Sequence, residues 1–186
     1  MTHDDKVFFL EWARTVIVSY FAGLKEIRPS RSPGDPSGAF VTLHKTGDLR
    51  GCIGYLYADD QPLIETIRQA SLAAAFRDYR FPPVEKDEMK KIDIEISILT
   101  PFDPVKNILD IKIGKHGLLL KKGSRSGLLL PQVPIEQGWD RDTFLDHLCL
   151  KAGLPPGSWE DKSAELLSFS AEVFGEKELG LFPVKD

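Results

Sequence analysis

Residues 92–99 read Ile-Asp-Ile-Glu-Ile-Ser-Ile-Leu, so isoleucine occupies every second position of this segment. Consecutive side chains of a β-strand project to opposite faces of a sheet, and the alternation therefore predicts a half-buried strand. Pro101 follows, and we expect the strand to end before it because proline cannot donate to the hydrogen-bond ladder of a sheet.

A β-hairpin is predicted upstream of this strand. Residues 40–44 and 49–56 have the composition of two strands. They are joined by Lys-Thr-Gly-Asp at residues 45–48, which has the chemistry of a hairpin turn. Cys52 falls in the second strand of this hairpin.

Two helices are predicted around the hairpin. Apolar residues recur at helical spacing over residues 5–24. A second helix is expected to have Pro62 in its first turn and Asp60 as its N-cap, since both residue types suit those positions. It should end near Tyr79, because the prolines at 82 and 83 cannot continue a helix.

Downstream, residues 117–120 and 128–130 are predicted to form a second hairpin with residues 121–127 as its connection. A further helix is expected to bury one stripe, formed by Phe144, Leu145, Leu148, Cys149 and Ala152. Residues 166–174 are predicted to form a last strand. Several strands are joined by tight turns rather than by helical crossovers, which favours an α+β fold with a mainly antiparallel sheet and flanking helices.

Composition places the chain among folded intracellular proteins. Its 186 residues fit one domain spanning 1–186, and 42% of them are hydrophobic. The net charge of −4 disfavours nucleic acid as a partner. The first helix carries Glu11 and Arg14, which argues against a signal peptide or membrane span. Cys52 and Cys149 form no disulfide framework, so we expect a cytoplasmic protein with reduced thiols.

The string Leu-Arg-Gly-Cys-Ile-Gly at residues 49–54 resembles the hallmark of the AMMECR family, called AmmeMemoRadiSam system protein A in prokaryotes. Other segments resemble the family in the same order along the chain, namely residues 38–43, 74–78, 80–81, 94–99, 130–133 and 151–154. Tyr79 is a departure, since the family usually has proline there, and this could alter how Asp78 and Arg80 are presented.

The resemblance implies an α+β fold of two unequal subdomains that form a cleft, with the 49–54 string facing that cleft. The family resemblance does not imply any established reaction. The prokaryotic family name records association with a Memo-like protein and a radical SAM protein, so both are expected partners in a shared pathway. This is an association and not a mechanism.

Cys52 is a candidate catalytic residue with two open interpretations. In a regular strand Arg50 and Cys52 share a face, and a cation beside a thiol stabilises the thiolate. Gly51 and Gly54 would then allow a ligand to approach closely. In the structural interpretation Cys52 is a small core residue, Arg50 pairs with Asp93 or Glu95, and the glycines accommodate a bulge.

Four further residues are candidate binding residues. His116 lies between glycines 114 and 117, where its ring could turn into the cleft, although a loop histidine is more often solvated. Gln132, Glu136 and Trp139 combine hydrogen-bonding groups with an aromatic ring, which suits a ligand pocket or equally the start of a helix over a buried Trp139. The histidines show no metal-ligand spacing, so neither a metal nor a cofactor is inferred.

The leading functional hypothesis is that the protein binds a small molecule or a partner's peptide in a cleft lined by residues 49–54. One alternative is an enzyme that uses Cys52 as a reactive thiol, although no general base can be identified. The other alternative is a non-catalytic adaptor that recognises a protein.

Overall fold

The computed structural model describes residues 1–24, 29, 31, 33–56 and 61–182. The chain forms two compact units. The first unit comprises Met1–Ile98 and Glu172–Asp186, and the second comprises Leu99–Ala171. Each unit has its own hydrophobic core. Within the described residues, no helix is long and apolar enough to cross a membrane.

Four α-helices, eight strands and three 3₁₀ helices are found in the described residues. The α-helices are α1 His3–Phe21, α2 Leu63–Phe76, α3 Val133–Gln137 and α4 Arg141–Lys151. The strands are β1 Ala39–Lys45, β2 Asp48–Tyr55, β3 Ile92–Leu99, β4 Asp103–Pro104, β5 Gly117–Lys122, β6 Arg125–Leu129, β7 Glu165–Phe169 and β8 Ala171–Gly175. The 3₁₀ helices are Lys86–Lys91, Ile108–Asp110 and Ser158–Glu160. The predicted α+β class is confirmed.

The first sheet has the strand order β2-β1-β3-β8, and β1 pairs antiparallel with both β2 and β3. The hairpin and the strand at residues 92–99 are therefore confirmed. Thr46 and Gly47 both have positive φ angles, of 54° and 97°, which is the geometry of a tight two-residue hairpin turn. Alternation places the isoleucines of β3 in the core and Asp93 and Glu95 on the other face.

The core of the first unit lies between this sheet and the helices α1 and α2. Helix α1 begins earlier than predicted, because Thr2 and Asp5 form a reciprocal capping box at its N-terminus. Helix α2 begins after Pro62, which is the N-cap residue, and ends at Phe76 rather than near Tyr79. The predicted cap Asp60 lies outside the described residues. Three buried alanines of α2, Ala73, Ala74 and Ala75, permit close packing of the helix.

The second sheet has the strand order β4-β7-β5-β6. Its β5–β6 hairpin is longer than predicted, because Lys121 and Lys122 pair with Ser126 and Arg125. The connection is therefore Gly123 and Ser124 rather than residues 121–127. Charged side chains can continue a strand wherever they remain exposed to solvent, so composition alone placed the turn too widely. Helix α4 buries the predicted stripe, including Cys149.

The predicted single strand over residues 166–174 is wrong. The structure has two strands there, β7 in the second sheet and β8 in the first, with Ser170 between them. Phe169 is buried in the second unit, whereas Phe174 is buried in the core of the first. Apolar residues recur throughout residues 166–174, on both sides of the point where the chain leaves the second unit and enters the first. The sequence pattern therefore gives no sign that one strand ends and another begins.

Candidate functional site

The 49–54 string forms most of β2, which is the edge strand of the first sheet. Pairing with β1 is interrupted by a bulge, since Leu43 is opposite Gly51 and His44 is opposite Leu49. Arg50 is thus the extra residue of β2 at this point. Bulges redirect the side chains beside them, and the regular alternation that was predicted to place Arg50 next to Cys52 does not hold here.

Arg50 is held by the segment that follows α2. Its Nη2 and Nε atoms donate to the Glu88 carboxylate at 2.8 and 3.2 Å, and Nη1 and Nη2 donate to the carbonyls of Pro82 and Pro83 at 2.9 and 3.3 Å. Lys45 also contacts Glu88. The two cations lower the pKa of Glu88 to about 2, with the Arg50 hydrogen bonds as the largest cause. The pairing of Arg50 with Asp93 or Glu95, which the structural interpretation of Cys52 predicted, is therefore wrong.

Gly51 and Gly54 allow close packing within the first unit. A Cβ atom on Gly51 would lie 2.3 Å from the carbonyl oxygen of Ala74 in α2. A Cβ atom on Gly54 would lie 2.3 Å from the ring of Phe40 in β1. The space beside each glycine is already filled, by Ala74 and by Phe40 respectively. Close packing is therefore enough to explain why both positions are glycine, and no ligand is needed.

Cys52 lies opposite Thr42 of β1, on the face of the sheet that also carries His44, Asp93 and Glu95. We call this the outer face, since the other face packs on the core. The side chain of Cys52 is half-buried, and the Thr42 hydroxyl donates to its sulfur at 3.3 Å. Burial raises the pKa of the Cys52 thiol, and the opposing effects of Thr42 and the Arg80 charge are smaller.

Slow alkylation of Cys52 is therefore expected at neutral pH. The raised pKa keeps the thiol protonated, and only the thiolate is a good nucleophile. The rate of iodoacetamide labelling, followed by mass spectrometry from pH 6 to 10, should stay below that of a free cysteine peptide until above the ordinary thiol range, near pH 8.5. Cys149 is fully buried and should not react until the chain is unfolded in denaturant. Rapid labelling of Cys52 at pH 7 would contradict this assignment.

The backbone of Cys52 is held by a pair of charged residues that sequence reasoning did not select. The Cys52 amide donates to Asp78 Oδ2 at 2.9 Å, and Arg80 Nη2 donates to the Cys52 carbonyl at 3.1 Å. Arg80 also donates to both carboxylate oxygens of Asp78, at 2.9 and 2.7 Å. These bonds lower the pKa of Asp78 to about 2, with Arg80 as the largest cause. Asp78 and Arg80 thus form hydrogen bonds with the amide and the carbonyl of Cys52, which are backbone groups that an edge strand otherwise leaves unpaired.

The loop that carries this pair presents side chains to solvent. The side chain of Arg80 is 43% exposed although it is hydrogen-bonded, and its guanidinium lies 5.5 Å from the centre of the Phe81 ring. Tyr79 is 93% exposed. The only signals in the sequence for this arrangement were the segments 74–78 and 80–81, which were noted as family matches and not as a site.

The other four candidates, His116, Gln132, Glu136 and Trp139, lie in the second unit. His116 borders a cavity of about 160 Å³, and burial with the nearby Lys115 and Lys112 lowers its pKa. Gln132 is the N-cap residue of α3, and Glu136 is exposed on that helix. Trp139 packs on the core of the second unit and stacks on the His147 ring at 3.9 Å. Across the residues described, no group of three or more metal-ligating side chains is found.

The sequence profile of the AMMECR1 family matches residues 10–174 of the chain. The chain belongs to the AMMECR1 family. It is 44% identical to protein MK0488 of Methanopyrus kandleri over 96% of this chain and 91% of that protein. It is also 44% identical to protein MJ0810 of Methanocaldococcus jannaschii, over 96% and 93% of the two chains.

The structure is similar to the crystal structure of protein PH0010 from Pyrococcus horikoshii. The TM-score is 0.85 at 39% sequence identity, covering 95% of this chain and 94% of that one. The names of these AMMECR1-family proteins state no reaction or ligand. The tyrosine at position 79, where the family resemblance led us to expect proline, leaves Asp78 and Arg80 paired.

Proposed function

We propose that this AMMECR1-family protein binds an acidic segment of a partner protein at Arg80, beside the Cys52 strand. The observation that carries this proposal is a half-exposed guanidinium held in one orientation by Asp78 and the Cys52 carbonyl. Among the described residues, Nη1 of Arg80 makes no hydrogen bond, so a donor of this fixed group is left for a carboxylate.

Rigidity of the loop favours binding. Asp78 is 3% exposed and accepts hydrogen bonds from the amides of Cys52 and Arg80 as well as from the Arg80 side chain. A partner therefore meets a recognition group that is already ordered, and little conformational entropy is lost on association.

Composition of the loop favours a protein partner over a small molecule. Tyr79 offers an almost fully exposed aromatic ring next to Arg80, and tyrosine and arginine are among the residues enriched at binding hot spots. The candidate partners are the Memo-like and radical SAM proteins suggested by the family resemblance. We place this association in the cytoplasm, where the free thiols of Cys52 and Cys149 would stay reduced.

An enzyme that uses Cys52 as its nucleophile is the weaker alternative. The pKa of Cys52 is raised rather than lowered, and the nearest carboxylate in this network, Asp78, is committed to Arg80 and the Cys52 amide. Neither an activated thiol nor an adjacent free base is present among these groups, which is the pairing that nucleophilic catalysis needs.

Arg80→Gln is expected to weaken binding to the Memo-like or radical SAM protein of the same genome by about tenfold or more, since each tenfold corresponds to about 1.4 kcal/mol. Binding would be measured by calorimetry with purified proteins. Arg80→Lys should recover only part of the affinity, because lysine keeps the charge but loses the planar fork.

The matched control is Arg125→Gln in the second unit, which also removes an exposed arginine bonded to a backbone carbonyl. This variant should bind as the unaltered protein does. Thermal unfolding of each variant would separate loss of recognition from loss of fold. Equal affinity of Arg80→Gln and Arg125→Gln, or no binding of either partner to the unaltered chain, would reject the proposal.

A further inference from the structure

A small cavity in the second unit carries an inference that does not depend on the Arg80 loop. Its volume is about 160 Å³, and its lining includes Val105, Lys106, Asn107, Asp110, Ile111 and His116. All of these residues lie within the second unit, whereas the 49–54 string and the Arg80 loop belong to the first. A cavity of about 150 Å³ is large enough for benzene, so this one has room for a ligand of about six non-hydrogen atoms.

His116 offers a hydrogen-bond donor at this cavity. Its Nδ1 atom accepts from the Lys112 amide at 3.4 Å, so the neutral ring carries its proton on Nε2. Burial and, to a smaller extent, the charges of Lys115 and Lys112 lower the pKa of His116, which keeps the ring neutral at neutral pH. Among the described residues, Nε2 has no acceptor. The Nε2–H group is therefore left for a ligand.

Asn107 and Lys106 offer two further donors in the same lining. Asn107 Oδ1 accepts from the Leu109 amide at 2.9 Å, which fixes the orientation of the side-chain amide and leaves its Nδ2 group unbonded within the described part of the chain. The Lys106 ammonium likewise has no ion pair or hydrogen bond there, and both residues are exposed. Three lining residues thus have N–H donors without an acceptor, which is the environment that an oxyanion needs.

The charges around the cavity favour a ligand with a single negative charge. Lys106 lies in the lining, and Lys112 and Lys115 are close enough to His116 to act on its pKa. The lining also contains the carboxylate of Asp110, which is exposed. Charges that line a cavity of this size lie within a Debye length of a bound ligand, about 8 Å at physiological ionic strength. A monoanion is therefore attracted, whereas a second negative charge on the ligand meets repulsion from Asp110.

We infer that this cavity binds a small monocarboxylate with a short apolar chain. The carboxylate would accept hydrogen bonds from His116 Nε2, Asn107 Nδ2 and Lys106 Nζ. The chain would lie against Ile111, which belongs to the core of the second unit, and Val105, which packs on that core. Removal of the chain from water would add to the affinity that the hydrogen bonds provide.

Titration of the full chain with sodium butyrate, at constant pH and ionic strength, tests this inference. Two-dimensional NMR of the imidazole groups follows the binding, because His116 lines the cavity whereas His3 and His44 belong to the first unit. A saturable shift of the His116 signals is expected, without a saturable shift of the other two. Butyramide has the same size but no charge and should bind about tenfold more weakly or less. Inorganic phosphate at pH 8, which is mostly a dianion, should also bind more weakly than butyrate.

Two variants locate the site. Lys106→Met removes the charged donor and keeps an apolar stem, and it should weaken butyrate binding by about tenfold. Asp110→Asn removes the carboxylate and should improve phosphate binding more than butyrate binding, because the dianion is repelled more strongly. Lys162→Met, at an exposed lysine of the second unit, is the matched control and should leave both affinities unchanged. Unchanged signals of His147, which stacks on Trp139, would show that each variant keeps the fold of this unit.

Arg80→Gln should leave butyrate binding unchanged, which keeps this result separable from the partner experiment. Absence of a saturable His116 shift would overturn the inference, and so would equal binding of butyramide or equal losses in Lys106→Met and Lys162→Met. Phosphate binding that is tighter than butyrate binding, or that does not improve in Asp110→Asn, would overturn the assignment to a monoanion.

Discussion

Replacing Arg14 with methionine is expected to lower the free energy of unfolding by about 3–5 kcal/mol, the usual range when one partner of a buried ion pair is removed. Arg14 Nε donates to Glu176 Oε1 at 2.6 Å, and its side chain is only 15% exposed. The same guanidinium donates to the carbonyls of Met89 and Ile92. The substitution therefore removes this donor from a buried carboxylate and from two carbonyls, and among the described residues only the Ile94 amide still donates to Glu176 Oε2, at 2.8 Å.

The loss of unfolding free energy in Arg14→Met should become smaller as the pH falls. Burial raises the pKa of Glu176 above its ordinary value of 4.5, while Arg14 opposes that increase. Without Arg14 the pKa rises further, so the ionised carboxylate costs more stability at neutral pH. Protonation removes this cost, and the difference between Arg14→Met and the unaltered chain should shrink as the pH falls toward the range in which Glu176 is protonated.

Chemical denaturation measured at several pH values checks this expectation. Lys122→Met is the control, because it breaks the more exposed Lys122–Asp161 pair and should change stability by less than about 1 kcal/mol. A double change of Arg14 and Glu176 to methionine should be less damaging than Arg14→Met alone. If Arg14→Met behaves like the control, the pair does not stabilise the fold.

Gly51→Ala is expected to lower the free energy of unfolding by about 1–3 kcal/mol or more, as overpacking of a tight core does. The added Cβ atom would lie 2.3 Å from the Ala74 carbonyl oxygen, which is backbone and cannot turn aside like a side chain. Strand β2 and helix α2 would have to separate. Denaturant unfolding followed by circular dichroism measures the change.

Gly175→Ala is the matched control for this prediction. Gly175 lies in β8, and the nearest atom to an added Cβ, the carbonyl oxygen of Ile94, is 3.6 Å away, an ordinary contact distance. That change should be neutral or should stabilise the protein by a few tenths to about 1 kcal/mol through the unfolded state. Equal effects of the two substitutions would refute a specific role of Gly51 in β2–α2 packing.

Elements with a local pattern were predictable from the residues. The isoleucine alternation identified β3, and the Lys-Thr-Gly-Asp segment identified the first hairpin, because each signal lies within a few positions along the chain. The two strands at 165–175 were not separable, since their assignment to different sheets depends on which core buries Phe169 and Phe174.

Periodicity and composition were thus sufficient for the α+β class, the main helices and the location of the 49–54 strand, because backbone geometry links these features to neighbours in sequence. The hydrogen-bond partners of Arg50 and Cys52 could not be predicted from periodicity or composition. Arg50 binds Glu88, 38 positions away, and the Cys52 amide binds Asp78, 26 positions away. Such pairs form when folding brings distant segments together, so the raised pKa of Cys52 and the exposed Arg80 follow from long-range packing and not from sequence spacing.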